Sequence, residues 1–383
     1  MSYIEPWSKK HKKVAGSAVY SLSNSFVEPL TNEQLIELSL ERGDQQIVDE
    51  FRHHSLAYTP SGGSLDLRQV IANFYGPDIS ADNIVVFPGG QVALQTAAAA
   101  VLDNKSHAIV FSPGYQSVQQ APVQATSQIT TIQRRSVDHW QINPQWVEAA
   151  IQDNTRYIVI NEPYNPAGTL MSAQLQQQLK DIAQKNGIFL LSDEVYRFLE
   201  HDANDRLPAM ADLYAKGLSL CTLSKPWGGC GITIGWIALQ DIELKQKLID
   251  VQYFGTACPA RSSEIQAIMT LRASDIILQE KMRIIHHNLT LLDQFIEDYS
   301  DLFEWVRPTA GAVAFVKFKG PLTSEQLGQQ LAESGISIKP AYVFMANTKG
   351  YEHYFRIGYG EQNMPQALSA LIHFVEENKD NWR

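Results

Sequence analysis

Short apolar runs without polar alternation recur along the chain, and amphipathic stretches with turn residues separate them. The runs cover residues 84–87, 108–111, 157–160 and 188–191. Strands that are buried on both faces have this pattern, because helices cover each side of a parallel sheet. The pattern therefore predicts an α/β fold with a mostly parallel sheet between helices.

Helix start and stop signals occupy the intervals between these runs. A helical stretch at 91–102 follows the sequence Pro-Gly-Gly. Ser172 has the character of an N-cap before a second helical stretch at 174–185, and Gly187 ends that stretch. Parallel strands need such crossover helices, so the helix pattern supports the same sheet.

The pattern changes after about residue 275, where a long helical segment begins. A strand-like segment and two further helical segments follow it. We expect a small α+β domain there, and an arm at the N-terminus that has no core of its own. The predicted division is an arm at 1–30 packing at the active site and the small domain, a large domain at 31–275 and a small domain at 276–383.

Composition narrows the class of protein further. The chain has 383 residues and a net charge of −10, which argues against nucleic acid as a partner. No apolar run reaches the ~18 residues of a membrane helix. Cys221, Cys230 and Cys258 have neither a disulfide framework nor zinc-ligand spacing, so we expect no metal site. These features favour a cytoplasmic enzyme with a small-molecule substrate.

A lysine stands at the first candidate site. Lys225 follows a strand-like run and lies between hydroxyl residues and a glycine-rich turn at 228–231. Partial burial lowers the pKa of an ammonium and makes the amine a nucleophile. An ordinary surface lysine is the alternative.

Two more segments follow apolar runs. Residues 161–168 hold two Asn and two Pro, at the carboxyl end of a strand where open α/β sheets bind ligands. Asp193 follows the run 188–191, and a buried carboxylate is costly unless it pairs with a cation. An Asn-based turn and a helix N-cap are the respective alternatives.

Together these segments resemble the signature of fold-type-I pyridoxal-phosphate (PLP) enzymes, the class I/II aminotransferase family. The resemblance extends from Tyr58 to Arg356. It implies the aspartate aminotransferase fold, with a seven-stranded type of sheet in the large domain. It also implies that a free L-amino acid reacts through external aldimine and quinonoid intermediates. PLP is the expected cofactor, in a covalent Schiff base with Lys225.

The resemblance also implies a role for each matching residue. Lys225, Asp193 and Tyr196 are the expected catalytic residues, with Asp193 pairing with the pyridinium nitrogen. The other expected cofactor-binding residues are Asn165 and Tyr196 at the phenolic oxygen, Tyr115 on the ring, and Gly89, Gly90, Gln91, Thr222 and Ser224 at the phosphate. Thr233 stands where the family has a phosphate-binding arginine. Arg356 and Asn165 are expected to bind the substrate. Tyr58 is expected to reach the phosphate of a neighbouring subunit, which predicts a homodimer with shared active sites.

The reaction itself stays open among several hypotheses. The segment 225–236 is similar to the capreomycidine-synthase-like branch and to PLP-dependent arginine oxidases. We therefore expect an L-arginine oxidase or desaturase that uses O2 as co-substrate, with Glu5 and Glu28 as candidate partners of the guanidinium. For both glutamates, solvated surface is the alternative. The alternative reactions are ordinary transamination to a 2-oxo acid and a capreomycidine-synthase-like lyase or cyclase reaction. A binding protein on a dead aminotransferase fold is expected to lack Lys225 or Asp193, and both are present.

Overall fold

The computed structural model describes residues 4–16 and 18–382, so residues 1–3 and 17 of the predicted arm, and residue 383, lie outside the described residues. In chain order its α-helices are α1 (Ser8–Ala15), α2 (Asn32–Glu41), α3 (Gln45–His53), α4 (Leu65–Ala72), α5 (Gly90–Val101), α6 (Gln116–Gln120), α7 (Pro144–Ala150), α8 (Ala173–Lys185), α9 (Met210–Leu213), α10 (Ile242–Gly255), α11 (Arg261–Arg272), α12 (Ser274–Asp298), α13 (Ser324–Glu333) and α14 (Met364–Trp382). The strands are β1 (Tyr20–Ser21), β2 (Ile84–Phe87), β3 (His107–Ser112), β4 (Gln128–Gln133), β5 (Thr155–Asn161), β6 (Phe189–Asp193), β7 (Gly217–Thr222), β8 (Gly235–Leu239), β9 (Phe303–Trp305), β10 (Val313–Phe318), β11 (Ile336–Ser337), β12 (Lys339–Pro340) and β13 (Tyr354–Gly358).

A seven-stranded sheet forms the centre of the larger part, in the order β2-β8-β7-β6-β5-β3-β4. The neighbours from β7 to β4 pair in parallel, whereas β8 is antiparallel to both β7 and β2. Every residue of β2, β3, β7 and β8 is buried, which explains the apolar runs without alternation. The predicted α/β fold with a mostly parallel sheet is confirmed.

The helices between these strands begin and end close to the predicted positions. The predicted helix at 91–102 is α5. Ser172 caps α8, because its side chain accepts a hydrogen bond from the backbone N–H of Leu175. Gly187 has φ +66°, a conformation that favours glycine after a helix. Local capping signals were therefore sufficient to locate this helix.

The carboxyl ends of β5, β6 and β7 lie side by side because the three strands run in the same direction. Asn161 at the end of β5 pairs in register with Asp193 at the end of β6. Thr222 ends β7, and Lys225 follows it three residues later. The sheet thus brings polar residues that are distant in sequence to one edge.

A second, antiparallel sheet lies in the C-terminal part, in the order β12-β13-β10-β9. The N-terminal segment joins this part, since β1 pairs in parallel with β11. Leu22 and Val27 of that segment are fully buried in the same core as Ile285 and Phe355. By contrast, Ile277 at the start of α12 packs in the core under the large sheet, so α12 connects the two cores. The exact domain boundaries stay a prediction.

Among the residues described, no helix is long and apolar enough to cross a membrane.

Candidate active site

A cavity of about 670 Å³ lies at the carboxyl edge of β5, β6 and β7, between the large sheet, the N-terminal segment and the small sheet. The sequence-predicted residues that line it are Gly89, Gly90, Gln91, Tyr115, Asn165, Asp193, Tyr196, Thr222, Ser224, Lys225, Thr233 and Arg356. The structure therefore brings together residues from segments that span most of the chain.

Lys225 extends into the cavity from the turn after β7. Its Nζ donates a hydrogen bond to Oγ of Ser25 at 3.0 Å. Burial and the nearby charge of Arg356 lower the pKa of Lys225 to about 8, against the opposing effects of Cys230 and Asp193. A substantial fraction of the side chain is therefore a neutral amine near pH 8, the form that attacks a carbonyl carbon.

Asp193 lies beneath the cavity with only 3% of its surface exposed. Burial raises its pKa to about 7, whereas a backbone hydrogen bond from Val195 and the charge of Lys225 act in the opposite direction. Among the described residues its Oδ1 has no hydrogen-bond partner. A buried carboxylate oxygen without a donor is costly. A protonated nitrogen placed in the cavity would satisfy it.

Asn161 holds this edge of the sheet together. Its Nδ2 donates to the carbonyl oxygen of Asp193 at 2.8 Å, and its Oδ1 accepts from the backbone N–H of Asn165 at 2.8 Å. One side chain therefore positions both the strand that carries the carboxylate and the loop that carries Asn165. The sequence analysis did not single out Asn161, although it lies in the segment 161–168.

Backbone N–H groups and hydroxyls form the opposite end of the cavity. The 12-residue helix α5 begins at Gly90, after Gly89 with φ +94°. A Cβ on Gly235 would lie 2.8 Å from the backbone nitrogen of Gly90, so only glycine permits this approach of β8. The Thr222 hydroxyl lies 3.3 Å from that of Ser224. A phosphate would fit this end of the cavity, because the N-terminus of a helix, two hydroxyl groups and closely approaching backbone N–H groups face it.

Arg356 lies on β13 at the small-sheet side and is 2% exposed. Its Nη1 donates to Oδ1 of Asn165 at 3.0 Å, and its Nη2 donates to the carbonyl oxygen of Ser23 at 2.7 Å. Burial lowers its pKa to about 10. Its Nε is buried without a partner among the described residues. The guanidinium is therefore oriented by two partners and keeps donors for a carboxylate.

Residues of the N-terminal segment, the arm expected to pack at the active site, line part of the cavity. Ser25 contacts two site residues, since its carbonyl oxygen accepts from the Tyr196 hydroxyl at 3.1 Å and its own hydroxyl accepts from Lys225. Glycine lets the segment pass this close. A Cβ on Gly358 would lie 1.8 Å from the carbonyl oxygen of Asn24.

A sequence profile of the family described as aminotransferase class I and II matches residues 40–371. The chain belongs to this family. The aspartate aminotransferase of Thermococcus kodakarensis is 23% identical over 334 residues, with 87% of this chain and 84% of that protein covered. The arginine–pyruvate transaminase AruH of Pseudomonas aeruginosa is 28% identical over 201 residues, with 50% of each protein covered.

Solved structures of similar proteins have the same fold. A PLP-dependent aminotransferase of Streptococcus suis superposes with a TM-score of 0.90 at 25% identity, covering 98% of this chain and 99% of that one. The PLP-dependent cyclase OrfR superposes with a TM-score of 0.87 at 22% identity, covering 99% and 98%. At that identity the similarity to OrfR is evidence for the fold alone.

The cavity fits the cofactor of this aminotransferase family. The unpaired Oδ1 of Asp193 is an acceptor for the protonated ring nitrogen of PLP, and the amine of Lys225 is available for covalent attachment. The start of α5 suits the phosphate. Thr233, with φ +58°, presents a hydroxyl at this end where the family has an arginine. The guanidinium of Arg356 and the ammonium of Lys339 belong to the small sheet and enter the cavity from the side opposite the large sheet.

Three of the expected residues do not line this cavity. Glu5 is exposed and pairs with Lys9 at 2.6 Å, and Oε2 of Glu28 accepts from the backbone N–H of Gln362 at 2.8 Å. Neither glutamate lines the cavity, and the contact of these two side chains with a substrate guanidinium stays a prediction. Tyr58 is 91% exposed on a separate surface, and its contact with a neighbouring subunit stays a prediction.

The cavity residues that the sequence analysis did not single out include Ser23, Ser25, Lys339 and His11. His11 comes from α1 and Lys339 from β12. Neither lies in a recognisable motif, so no sequence signal could have placed them here. Their position depends on how α1 and the small sheet pack around the cavity.

Proposed function

We propose that this protein is an aminotransferase that moves the amino group of a free amino acid to a 2-oxo acid. One observation carries the proposal: an amine with a lowered pKa, Lys225, and an unpaired buried carboxylate oxygen, on Asp193, line the same cavity. PLP, when bound, supplies the electron sink for this chemistry.

Lys225 serves first as the covalent attachment point and then as a proton carrier. When the amino group of the substrate displaces it, its neutral amine accepts the α-proton. With PLP bound, the same amine would return a proton one position further along, and water would then release the 2-oxo acid and leave the amino group on the cofactor. Its lowered pKa suits both roles, because a general base works best when its pKa is near the working pH.

Asp193 and Arg356 orient the reactants. With PLP bound, the Asp193 carboxylate would accept a hydrogen bond from the protonated ring nitrogen and would hold the proton there by its negative charge. Arg356 binds the α-carboxylate of the amino acid through its free donor positions. Asn165 steadies that guanidinium through the 3.0 Å bond to its Nη1. Substrate binding thus places the α-proton within reach of the released lysine.

The expected arginine oxidase has less support than transamination. Of the described residues that line the cavity, Asp193 is the sole carboxylate, so a substrate guanidinium has no second carboxylate to pair with. The similar proteins of Thermococcus kodakarensis and Pseudomonas aeruginosa are an aspartate aminotransferase and an arginine–pyruvate transaminase, and neither is named for a reaction with O2. A cyclase or lyase reaction is the other alternative, and its products differ from those of transamination.

The test combines a substrate screen with a lysine variant. The PLP-loaded enzyme is incubated with each amino acid, with and without a 2-oxo acid, while O2 uptake and products are recorded. Transamination predicts pyridoxamine phosphate without an acceptor and turnover only with one. O2 consumption in the absence of a 2-oxo acid would overturn the proposal in favour of an oxidase, and a cyclised product in favour of a lyase.

Lys225→Ala should abolish covalent attachment of the cofactor, measured by mass spectrometry after borohydride reduction, and with it all turnover. Lys349→Ala is the matched control, because Lys349 is an exposed loop residue away from the cavity. If Lys225→Ala retained the covalent adduct, the assignment of the attachment point would be wrong.

A further inference from the structure

Lys339 stands beside Arg356 in the cavity. The two residues are register partners on the antiparallel strands β12 and β13. Directly opposed residues of such a pair have neighbouring side chains on the same face of the sheet. Both side chains line the cavity. The small sheet therefore presents two cationic groups next to each other toward the substrate.

The charges around Lys339 are strongly unbalanced. Arg356, Lys225 and Lys12 all act on it as positive charges, and its pKa falls to about 6 through burial and through those charges. His11 lies close on α1, and the charge of Lys339 lowers the pKa of that histidine. On the packed helix α13, the carboxylate of Glu325 is already paired with Lys10.

Lys339 also lacks a structural role that would explain its position. Among the described residues, no side-chain hydrogen bond or ion pair to Lys339 is present. A partly buried ammonium beside a buried guanidinium is unfavourable without an anion. Arg356 and Lys225 are assigned to the α-carboxylate and to the cofactor, so Lys339 is the remaining cation of the small sheet in the cavity.

We propose, resting on the aminotransferase function above, that Lys339 binds an anionic group on the substrate side chain while Arg356 binds the α-carboxylate. The substrate class is then the acidic amino acids and their 2-oxo dicarboxylates. Two neighbouring cations match the two carboxylates of such a molecule. Lys12 of α1 lines the same cavity and adds positive charge.

Arginine is disfavoured by the same arrangement, since its guanidinium would enter a region of like charge. The proposed substrate-anion site is distinct from the site of the cofactor phosphate, because the phosphate cradle lies at the start of α5 on the large sheet. Lys339 and Arg356 belong to the small sheet, so the two anion sites take different groups.

The experiment compares the wild type with Lys339→Met, which keeps the length of the side chain and removes its charge. Single-turnover reactions of the PLP-loaded enzyme give kcat/KM for aspartate, glutamate, alanine, methionine and arginine. We expect Lys339→Met to lower kcat/KM for the two acidic substrates by about 10- to 100-fold, because a hydrogen bond to a charged group usually contributes a free energy of this size. For alanine and methionine, kcat/KM should change by less than about 3-fold. Lys339→Arg should retain most of the preference, and Lys349→Met should match the wild type.

A second readout separates recognition from a merely structural role. Succinate binding to the PLP-loaded enzyme is measured by calorimetry in buffers of different ionisation enthalpy near pH 7.5. Because the pKa of Lys339 is about 6 in the empty cavity, an anion binds its protonated form and proton uptake should accompany binding. The affinity should rise as the pH falls toward 6. Lys339→Met should lose the Lys339-dependent part of both effects.

Several results would overturn the proposal. Equal losses for acidic and neutral amino acids would mean that Lys339 shares the α-carboxylate. A wild-type preference for neutral or cationic amino acids would contradict the substrate class. If no amino acid yields pyridoxamine phosphate, the aminotransferase function fails, and the effect of Lys339→Met on succinate binding still decides the role of Lys339.

Discussion

Replacing Gly358 with alanine tests how the N-terminal segment completes the active site. The added Cβ would lie 1.8 Å from the carbonyl oxygen of Asn24, and ordinary contact begins at 3.4 Å. The segment would therefore have to retreat by about 1.6 Å. The φ of Gly358 is not in the left-handed region, so alanine itself is tolerated there and the effect is steric.

This displacement is large enough to break contacts at the site. The bond from Nη2 of Arg356 to the carbonyl oxygen of Ser23 is 2.7 Å long, and the bond from Lys225 to Ser25 is 3.0 Å long. Lengthening either by more than 1 Å ends the hydrogen bond. A hydrogen bond to a charged group contributes about 1.5–3 kcal/mol, so we expect KM for the amino acid to rise about 10- to 100-fold.

The assay is the single-turnover reaction with a range of amino acid concentrations, together with thermal unfolding of the PLP-loaded enzyme. Tm should fall as well, because Leu22 and Val27 lose part of their packing in the small-sheet core. Gly255→Ala is the control, since no atom lies within 4 Å of the position of its Cβ. A Gly358→Ala enzyme with wild-type KM and Tm would refute the idea that the segment orients Arg356.

Two further predictions concern the cofactor. The Asp193→Asn variant should still attach the cofactor to Lys225. Its reaction with amino acids should be slower by about two orders of magnitude, because a neutral amide does not hold the ring proton by charge. Stopped-flow absorbance measures this rate, and an unchanged rate would contradict the role of Asp193. The rate of covalent attachment should rise with pH up to about 8 and then stay constant, because the lowered pKa of Lys225 makes the amine predominantly neutral only above that value. Mass spectrometry after borohydride quenching gives this profile, and a midpoint near the ordinary lysine pKa would speak against the burial effect.

Local sequence patterns were sufficient for much of the fold and for the cofactor end of the site. The strands were visible because both faces of the sheet are buried, which requires uninterrupted apolar runs. Asp193, Lys225 and the loop at 161–168 each directly follow such a run. Their place at a strand's end is a local property, and parallel strands then bring those ends to one edge.

Only the tertiary structure decided which residues complete the cavity and face the substrate. Ser25 meets Lys225 across 200 residues of chain, and Lys339 meets Arg356 through strand pairing. Glu5 and Glu28, which suggested a cationic substrate, have other partners, whereas an unremarked lysine points to an anionic one. By itself the sequence determined the α/β fold and the family, and it predicted the cofactor-side residues, because strands, turns and helix starts depend on neighbouring residues. The charge facing the substrate depends on how separate elements pack, and no local pattern encodes it.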